Sequence, residues 1–299
     1  MQSYASKIIA LTRRLGYFSF SNAILQVSNI VKGFFIPLVL TPDIFGVLNK
    51  LNLILYYGSY ADLGISNGMG RYLPHYLHAQ NDTEVRKVAD TALSVIVFSS
   101  SLIACLIITS FLFISSTVKR EMLIGGLVFP LVLITANIKK FFSLYLRSKD
   151  DFRNLSRLNL LDGISGLVLI IILIFPFKIY GIFLATLLSG LICSFFLLFR
   201  IGYKYHSALD PYTLKKLFAM GLPMLILGVL AMLGNTLDRL FIIKFFDNTQ
   251  LGYYALGFTA RAAISTIPQS IATFYAPKVF QYEKCEEEET ESLDGKCCI

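Results

Sequence analysis

GLPMLILGVLAMLGNTLDRLFIIKFFDNTQLGYYALGFTAR, residues 221–261, decides how this chain folds. It contains most of an uncharged run from Leu217 to Leu237, then Asp238-Arg239 and a short polar break. A second apolar run follows and carries one cation, Arg261, near its middle. About 20 apolar residues suffice to cross a bilayer core as a helix. An ionisable side chain inside such a span costs several kcal/mol unless it faces a protein-lined or watery interior. The stretch therefore predicts two membrane helices that carry charge inward.

The rest of the chain repeats the pattern. Of its 299 residues 55% are hydrophobic and only 15% charged, and the mean hydropathy is +0.65. Soluble chains have roughly 25% charged residues. The net charge of +8 raises nucleic acid as a partner, but the basic residues sit between apolar runs and form no stripe or patch, which argues against one. The N-terminal arm, with Lys7, Arg13 and Arg14, runs into apolar sequence without a small-residue cleavage site, so a first membrane helix is expected in place of a signal peptide. Cys105 and Cys193 lie in apolar runs and read as packing residues. Cys285, Cys297 and Cys298 have no metal-ligand spacing. No metal, cofactor or catalytic cluster is predicted.

Eight membrane helices are expected, at about 16–40, 44–67, within 91–118, 122–138, 158–177, 179–201, 217–237, and from the break after Asp247 to Pro277. GMGRYLPHYLHAQNDTEVRKV, from Gly68, reads as an interfacial segment before the third helix, and Lys139-Lys140 as the exit of the fourth. The fold class is thus all-α integral membrane, a polytopic helical bundle. It divides into a six-helix N-lobe (1–203), a cytoplasmic connector (204–216), the first two helices of an incomplete second lobe (217–278) and an acidic tail (279–299). With the N-terminus inside, nineteen basic residues of the loops and tails are cytoplasmic and five are outside. That bias predicts a multi-pass membrane protein with both termini cytoplasmic.

A weak repeat supports two lobes. FFIPLVLTPDIFGVLNK from Phe34 and LFIIKFFDNTQLGYYAL from Leu240 align at an offset of 206, pairing Phe35 with Phe241, Ile36 with Ile242 and Gly46 with Gly252. Halves related by an axis along the membrane normal characterise many transporters.

GLP near the start of a helix, NTLDRLFI at its end and LGYYALGF after the break resemble the second-lobe opening of bacterial polysaccharide flippases, which carry O-antigen or similar repeat units. These belong to the multidrug/oligosaccharidyl-lipid/polysaccharide exporter superfamily. FGVLNKLNLILYYGSYADLGISNGMGRYLPHY, from Phe45, is similar to the helix-two region of that family. The resemblance extends over about Ser3 to Phe280. It implies movement of an undecaprenyl-diphosphate-linked oligosaccharide from the cytoplasmic to the periplasmic leaflet, through a hydrated cavity between two six-helix lobes. Six plus two helices imply a chain truncated after the eighth, or an oligomer that rebuilds the second lobe.

A lipid diphosphate needs cationic donors along its path. Lys32, Lys50 and Arg261 are the intramembrane cations, on helices that line the family's cavity, and all three are expected to point at one anion. Arg71, with His75 and His78, is placed to meet lipid head groups. Asp238 is the candidate for a coupling proton or Na+, at an outer helix end where related transporters bind one; it pairs with Lys32 under the 206 offset. Asp62 reads as the end of helix two. Tyr56, Tyr57 and Tyr60 either stack on sugars or pack. Asn22, Gln26 and Asn29 give helix one a polar face. The expected partners are the lipid-linked oligosaccharide and membrane lipids. The short outer loops and lack of His/Asp or Ser/His pairings argue against an enzyme. The alternatives are a cation-coupled drug exporter of the same superfamily and a nonfunctional truncated flippase.

Overall fold

The computed structural model of this chain describes residues 2–116, 118–203, 205 and 209–265. Among them every regular element is a helix: α1 (Gln2–Val39), α2 (Pro42–Gly58), α3 (Ile65–His78), α4 (Asp82–Phe113), α5 (Arg120–Ser148), α6 (Phe152–Phe177), α7 (Ile179–Ile201) and α8 (Pro211–Phe245). A further helix, α9, occupies 248–265. Six spans are long and apolar enough to cross a membrane: 16–39 within α1, and α4 to α8. The polytopic helical fold is as the sequence predicts. The expected tail, 279–299, lies outside the described residues. The chain divides into two units, Met1–Gly257 and Phe258–Ile299.

Local signals start the helices. Asn81 Oδ1 accepts from the Glu84 N–H at 3.3 Å to cap α4. Asp151 Oδ1 accepts from the Asn154 N–H at 3.2 Å to cap α6, and Asp210 accepts from the Thr213 N–H at 3.1 Å to cap α8. Each satisfies an orphan donor of a first turn. Within the first unit α1 packs on α6, α6 on α7, α7 and α4 on α5, and α3 on α4 and α8. Two cores result. One gathers Met69, Leu73, Ile96, Phe141, Leu158 and Leu217. The other gathers Leu48, Leu51, Phe129, Ile174, Phe183 and Ala255. The outside is apolar too: Phe98 is 71% exposed, Leu198 68% and Phe199 73%. Such surfaces suit hydrocarbon, not water.

The second span differs from expectation. A helix over 44–67 is predicted, but α2 stops at Gly58 and the chain turns through 59–64 before α3. Leu63 and Gly64 have positive φ, 51° and 79°, and Gly64 is the residue type that takes this conformation without strain. The segment after it forms α3, whose Met69 and Leu73 are fully buried while Arg71, His75 and His78 are exposed, so one face packs into the protein and the other is polar. The fourth span is also longer than 122–138, because α5 runs on to Ser148. Lys139 and Lys140 therefore sit inside a helix and do not mark its exit.

Those two lysines hold the broken span and its neighbour. Lys140 Nζ donates to Asp62 Oδ2 at 2.8 Å and to the Ser59 carbonyl at 3.2 Å. Asn137, one turn earlier, donates to Ser100 Oγ at 2.8 Å and reaches the Gly58 carbonyl at 3.4 Å. Gly64 N–H donates to Asp62 Oδ1 at 3.3 Å. Carbonyls freed by the break thus find donors on α5, as a membrane interior requires.

The 206-residue offset has a structural counterpart. A Cβ on Gly46 of α2 would collide with the backbone carbonyl of Asn248, and one on Gly252 of α9 with that of Pro42. Gly46 and Gly252 are 206 apart, as are Pro42 and Asn248. Exchanging each residue for its counterpart therefore converts the first contact into the second, and the starts of α2 and α9 meet in a self-reciprocal way, as in a two-fold interface.

Breaking the Asp62 pair tests its role. Asp62 is 3% exposed and Lys140 40%, so Lys140→Ala should lower stability by about 3 kcal/mol, the low end for a stranded buried charge. Asp62→Asn added to Lys140→Ala should recover much of the loss. Thermal unfolding in detergent, followed by circular dichroism, checks both; equal melting temperatures for Lys140→Ala and the parent would refute it.

Candidate functional site

The interior charges fall into three neighbourhoods. The first lies where α1, α5, α6 and α7 meet. Ser28 of α1 packs on Gly163 of α6, where a Cβ would come within 3.3 Å of Ser28 Oγ. One turn further, Lys32 Nζ lies 3.2 Å and Ser189 Oγ of α7 lies 3.4 Å from the Cβ position of Gly166. Small residues let these helices close up and admit the lysine amine between them. Asp162, on the same helix, accepts from Lys139 Nζ at 2.7 Å, and Cys193 Sγ stands 3.7 Å from its other oxygen. Lys32 is half-buried, feels Asp162 and Lys139, and has no hydrogen bond or ion pair among the described residues. The packed stripe of α1 is thus Ser21, Leu25, Ser28 and Lys32. Asn22 and Gln26 are half-buried on a neighbouring stripe, and Asn29 is exposed.

The second neighbourhood surrounds α2. Lys50, half-buried, has Asp43, Lys119 and Asp247 as its charged neighbours. Asp43 is itself paired with Lys119 at 3.1 Å. Lys50 also makes no ion pair within 4 Å among the described residues. No charged neighbour is common to Lys32 and Lys50, so the two amines have separate surroundings. On the same span Tyr57 Oη and Thr236 Oγ1 of α8 are 2.7 Å apart, and Tyr60 donates to the Gly228 carbonyl at 3.2 Å. Tyr57 thus joins α2, and Tyr60 the turn after it, to α8. Tyr56 is 42% exposed, meets Tyr60 edge to face, and is the ring of the three left open to a ligand. Asp62, read as a helix end, is instead the buried partner of Lys140.

The remaining candidates are peripheral. Arg71 is exposed on α3, with Nη1 3.9 Å from Met220 Sδ; His75 and His78 are exposed on the same helix. Asp238 is exposed, and its carboxylate accepts from the Arg239 N–H at 2.9 Å. Arg261 belongs to the second unit, where it is exposed with its guanidinium over the Phe258 ring, 5.8 Å from the centroid.

The third neighbourhood carries no sequence expectation. It fixes the connector after α7 to the start of α4. Tyr203 donates to buried Asp90, and its ring packs edge to face on Phe141, Phe142 and Tyr145. Tyr205 Oη lies 2.6 Å from Ser94 Oγ. A connector opening with Tyr-x-Tyr beside a helix carrying Asp90 and Ser94 is the only signal the sequence offers. Burial first, then the bond to Asp90, holds the Tyr203 hydroxyl above its ordinary pKa of 10.0.

A family model described as polysaccharide biosynthesis protein matches residues 39–290. No curated protein matches the chain. Among solved structures, a point mutant of a MATE transporter superposes with a TM-score of 0.63 at 17% identity, covering 90% of this chain and 69% of that one. An outward-facing multidrug resistance MATE transporter of the MOP superfamily gives 0.61 at 17%, covering 90% and 68%. A MOP superfamily transporter from Pyrococcus furiosus Vc1, described as having a binding pocket of reverse polarity, gives 0.59 at 17%, again covering 90% and 68%. Identities this low establish the fold, which is that of the superfamily the sequence resembles. The chain spans about two thirds of the length of these relatives.

The connector anchor has a definite pH signature. A tyrosine whose folded pKa is raised contributes stability that is complete below its unfolded value and is lost as pH rises through the folded one. Hydrogen exchange at 203, 205, 209 and 210 should therefore keep the same protection from neutral pH to about 10 and lose it only above. Tyr203→Phe should weaken that protection at every pH, at a cost of about 1–2 kcal/mol. Unchanged protection in Tyr203→Phe would show that the rings alone hold the connector.

Proposed function

The chain belongs to the polysaccharide biosynthesis protein family, and from that premise we propose that it moves a diphosphate-linked oligosaccharide on a polyprenyl carrier across the cytoplasmic membrane by alternating access. The observation that carries this reading is the sorting of four interior lysines. Lys139 and Lys140 are each bound to a carboxylate, Asp162 and Asp62. Lys32 and Lys50 are half-buried and keep their ammonium groups unpaired among the described residues. An unpaired cation in a membrane interior is expensive and is best explained by an anion that arrives from outside the protein. Lys32 and Lys50 would meet the diphosphate at successive positions along its path, each by a charge-assisted hydrogen bond, with Arg261 a further cation for that path and Arg71 receiving the head group at entry. Tyr56 offers an open ring to a sugar face. Asp238 is the proposed site for a coupling proton or Na+. No acid, base or nucleophile cluster is called on, and the chain acts as a transporter, not an enzyme.

A cation-coupled drug exporter is the second reading, because MATE transporters have this fold. An organic cation needs an interior carboxylate to receive it. In the first unit Asp62 and Asp162 already hold lysines and Asp90 accepts from the Tyr203 hydroxyl, which favours the anionic substrate.

Lys32→Ala, introduced into the natural gene in a host that displays the glycan, should lower surface polysaccharide about tenfold or more, the value of one charged hydrogen bond. Its protein level and melting temperature should hold, since no ion pair is broken. Lys139→Ala should instead lower the melting temperature by stranding Asp162. Normal polysaccharide from Lys32→Ala and Lys50→Ala would remove both lysines from the path. Raised drug sensitivity with normal polysaccharide would favour the exporter.

A further inference from the structure

The outer faces of α6 and α7 enclose a groove of about 620 Å3 that the transport reading leaves unused. Leu160, Ile164 and Val168 of α6 and Phe196 of α7 form its wall, with Arg157 and Ser165 as its polar lining residues. Ser165 is not open to a ligand: its hydroxyl donates to the Leu161 carbonyl and lies 3.2 Å from Ser189 Oγ. The wall therefore offers apolar contact throughout. Arg157 is different. It is half-buried and makes no hydrogen bond or ion pair among the described residues, although its guanidinium carries five donors suited to a phosphate.

We propose that this groove is a binding site for one acyl chain of an anionic phospholipid, whose phosphate is held by Arg157. Three features fit that occupant. First, Arg157 to Val168 is eleven residues of helix, roughly 16 Å, close to half the thickness of a ~30 Å hydrocarbon core; one leaflet's chain fills it end to end. Second, Arg157 stands in the second turn of α6, close to the α5–α6 turn, where Arg147, Lys149 and Arg153 outnumber Asp150 and Asp151. Third, Arg157 lines the groove and Arg147, Lys149 and Arg153 do not; Arg147 faces the Phe18 ring and Lys149 the Tyr145 ring. A free phosphate would use the arginine but not the wall. A zwitterionic lipid would use the wall but lacks the net charge that favours the arginine.

The site is independent of the transport reading, because neither Lys32 nor Lys50 lines it, so its failure leaves that reading untouched. The test uses the full chain purified in detergent and titrated with phosphatidylglycerol or phosphatidylcholine, with bound lipid counted by native mass spectrometry. The parent should retain phosphatidylglycerol about tenfold better than phosphatidylcholine, as a charge-assisted pair implies. Arg157→Gln should remove the preference, and Arg157→Lys should restore part of it. Val168→Phe, at a position 45% exposed, should fill the groove and reduce retention of both lipids while keeping the arginine. Inorganic phosphate alone should not displace the lipid. The proposal is overturned if Arg157→Gln keeps the preference, if Val168→Phe retains both lipids in full, or if inorganic phosphate competes on its own.

Discussion

One ammonium group lets this bundle contain a broken helix. A helix that stops at Gly58 and restarts at Ile65 leaves carbonyls without helical partners, and in a membrane interior each unsatisfied group costs several kcal/mol. Lys140 answers two needs together, donating to the Ser59 carbonyl and neutralising Asp62, while Asn137 from the preceding turn supports the Gly58 carbonyl. Because the break is satisfied from α5, α3 is free to change direction, bury Met69 and Leu73, and lie along α8. The contact of α3 with α8 is long-range in sequence. It depends on a polar cluster on α5, a helix that lies between them in the chain.

At the other end of α2 the constraint is backbone proximity. Pro42 opens α2 and Asn248 opens α9, and each carbonyl rests where a glycine of the partner helix has no Cβ. The reciprocity of the two contacts under one offset argues that the weak sequence repeat reflects related halves, since a chance match of apolar hairpins has no reason to place matched residues against each other. Only two glycines and one turn need to be kept for such a contact. That explains why the repeat is faint elsewhere: flanking apolar residues can exchange freely as long as they remain apolar.

Legibility in the sequence follows range. α7 is an uncharged, mostly apolar run between Lys178 and Arg200, closed by Gly202, and its limits, 179 and 201, are plain. The membrane class follows from composition and run length. What hydropathy does not give is pairing between helices. Asp62 and Lys140 are 78 residues apart and Lys139 and Asp162 are 23 apart, so Lys139-Lys140 carries the local pattern of a membrane exit. The resumed run FFSLYL after them is the sign that the helix continues. α3 reads as interfacial because Arg71, His75 and His78 interrupt its apolar residues; its apolar face becomes informative only with α4 and α8 covering it. On α1 the amides draw attention from Ser21 and Ser28, whose small size, not polarity, decides what packs against α6.

The same distinction between pairing and type governs the candidate site. By residue type Lys32, Lys50, Lys139 and Lys140 are alike, and each would count equally as a cation for a diphosphate. By surroundings they divide in two. A lysine bound at 2.7 or 2.8 Å to a carboxylate must give up that partner before it can take another anion, and the stranded carboxylate sets the cost. A lysine that feels Asp162 without touching it, as Lys32 does with Lys139 opposing, keeps its donors unoccupied. On the proposed path that arrangement would leave donors for an incoming anion, while the nearby Asp162 would limit how tightly the anion is held. A carrier that must release what it binds requires both.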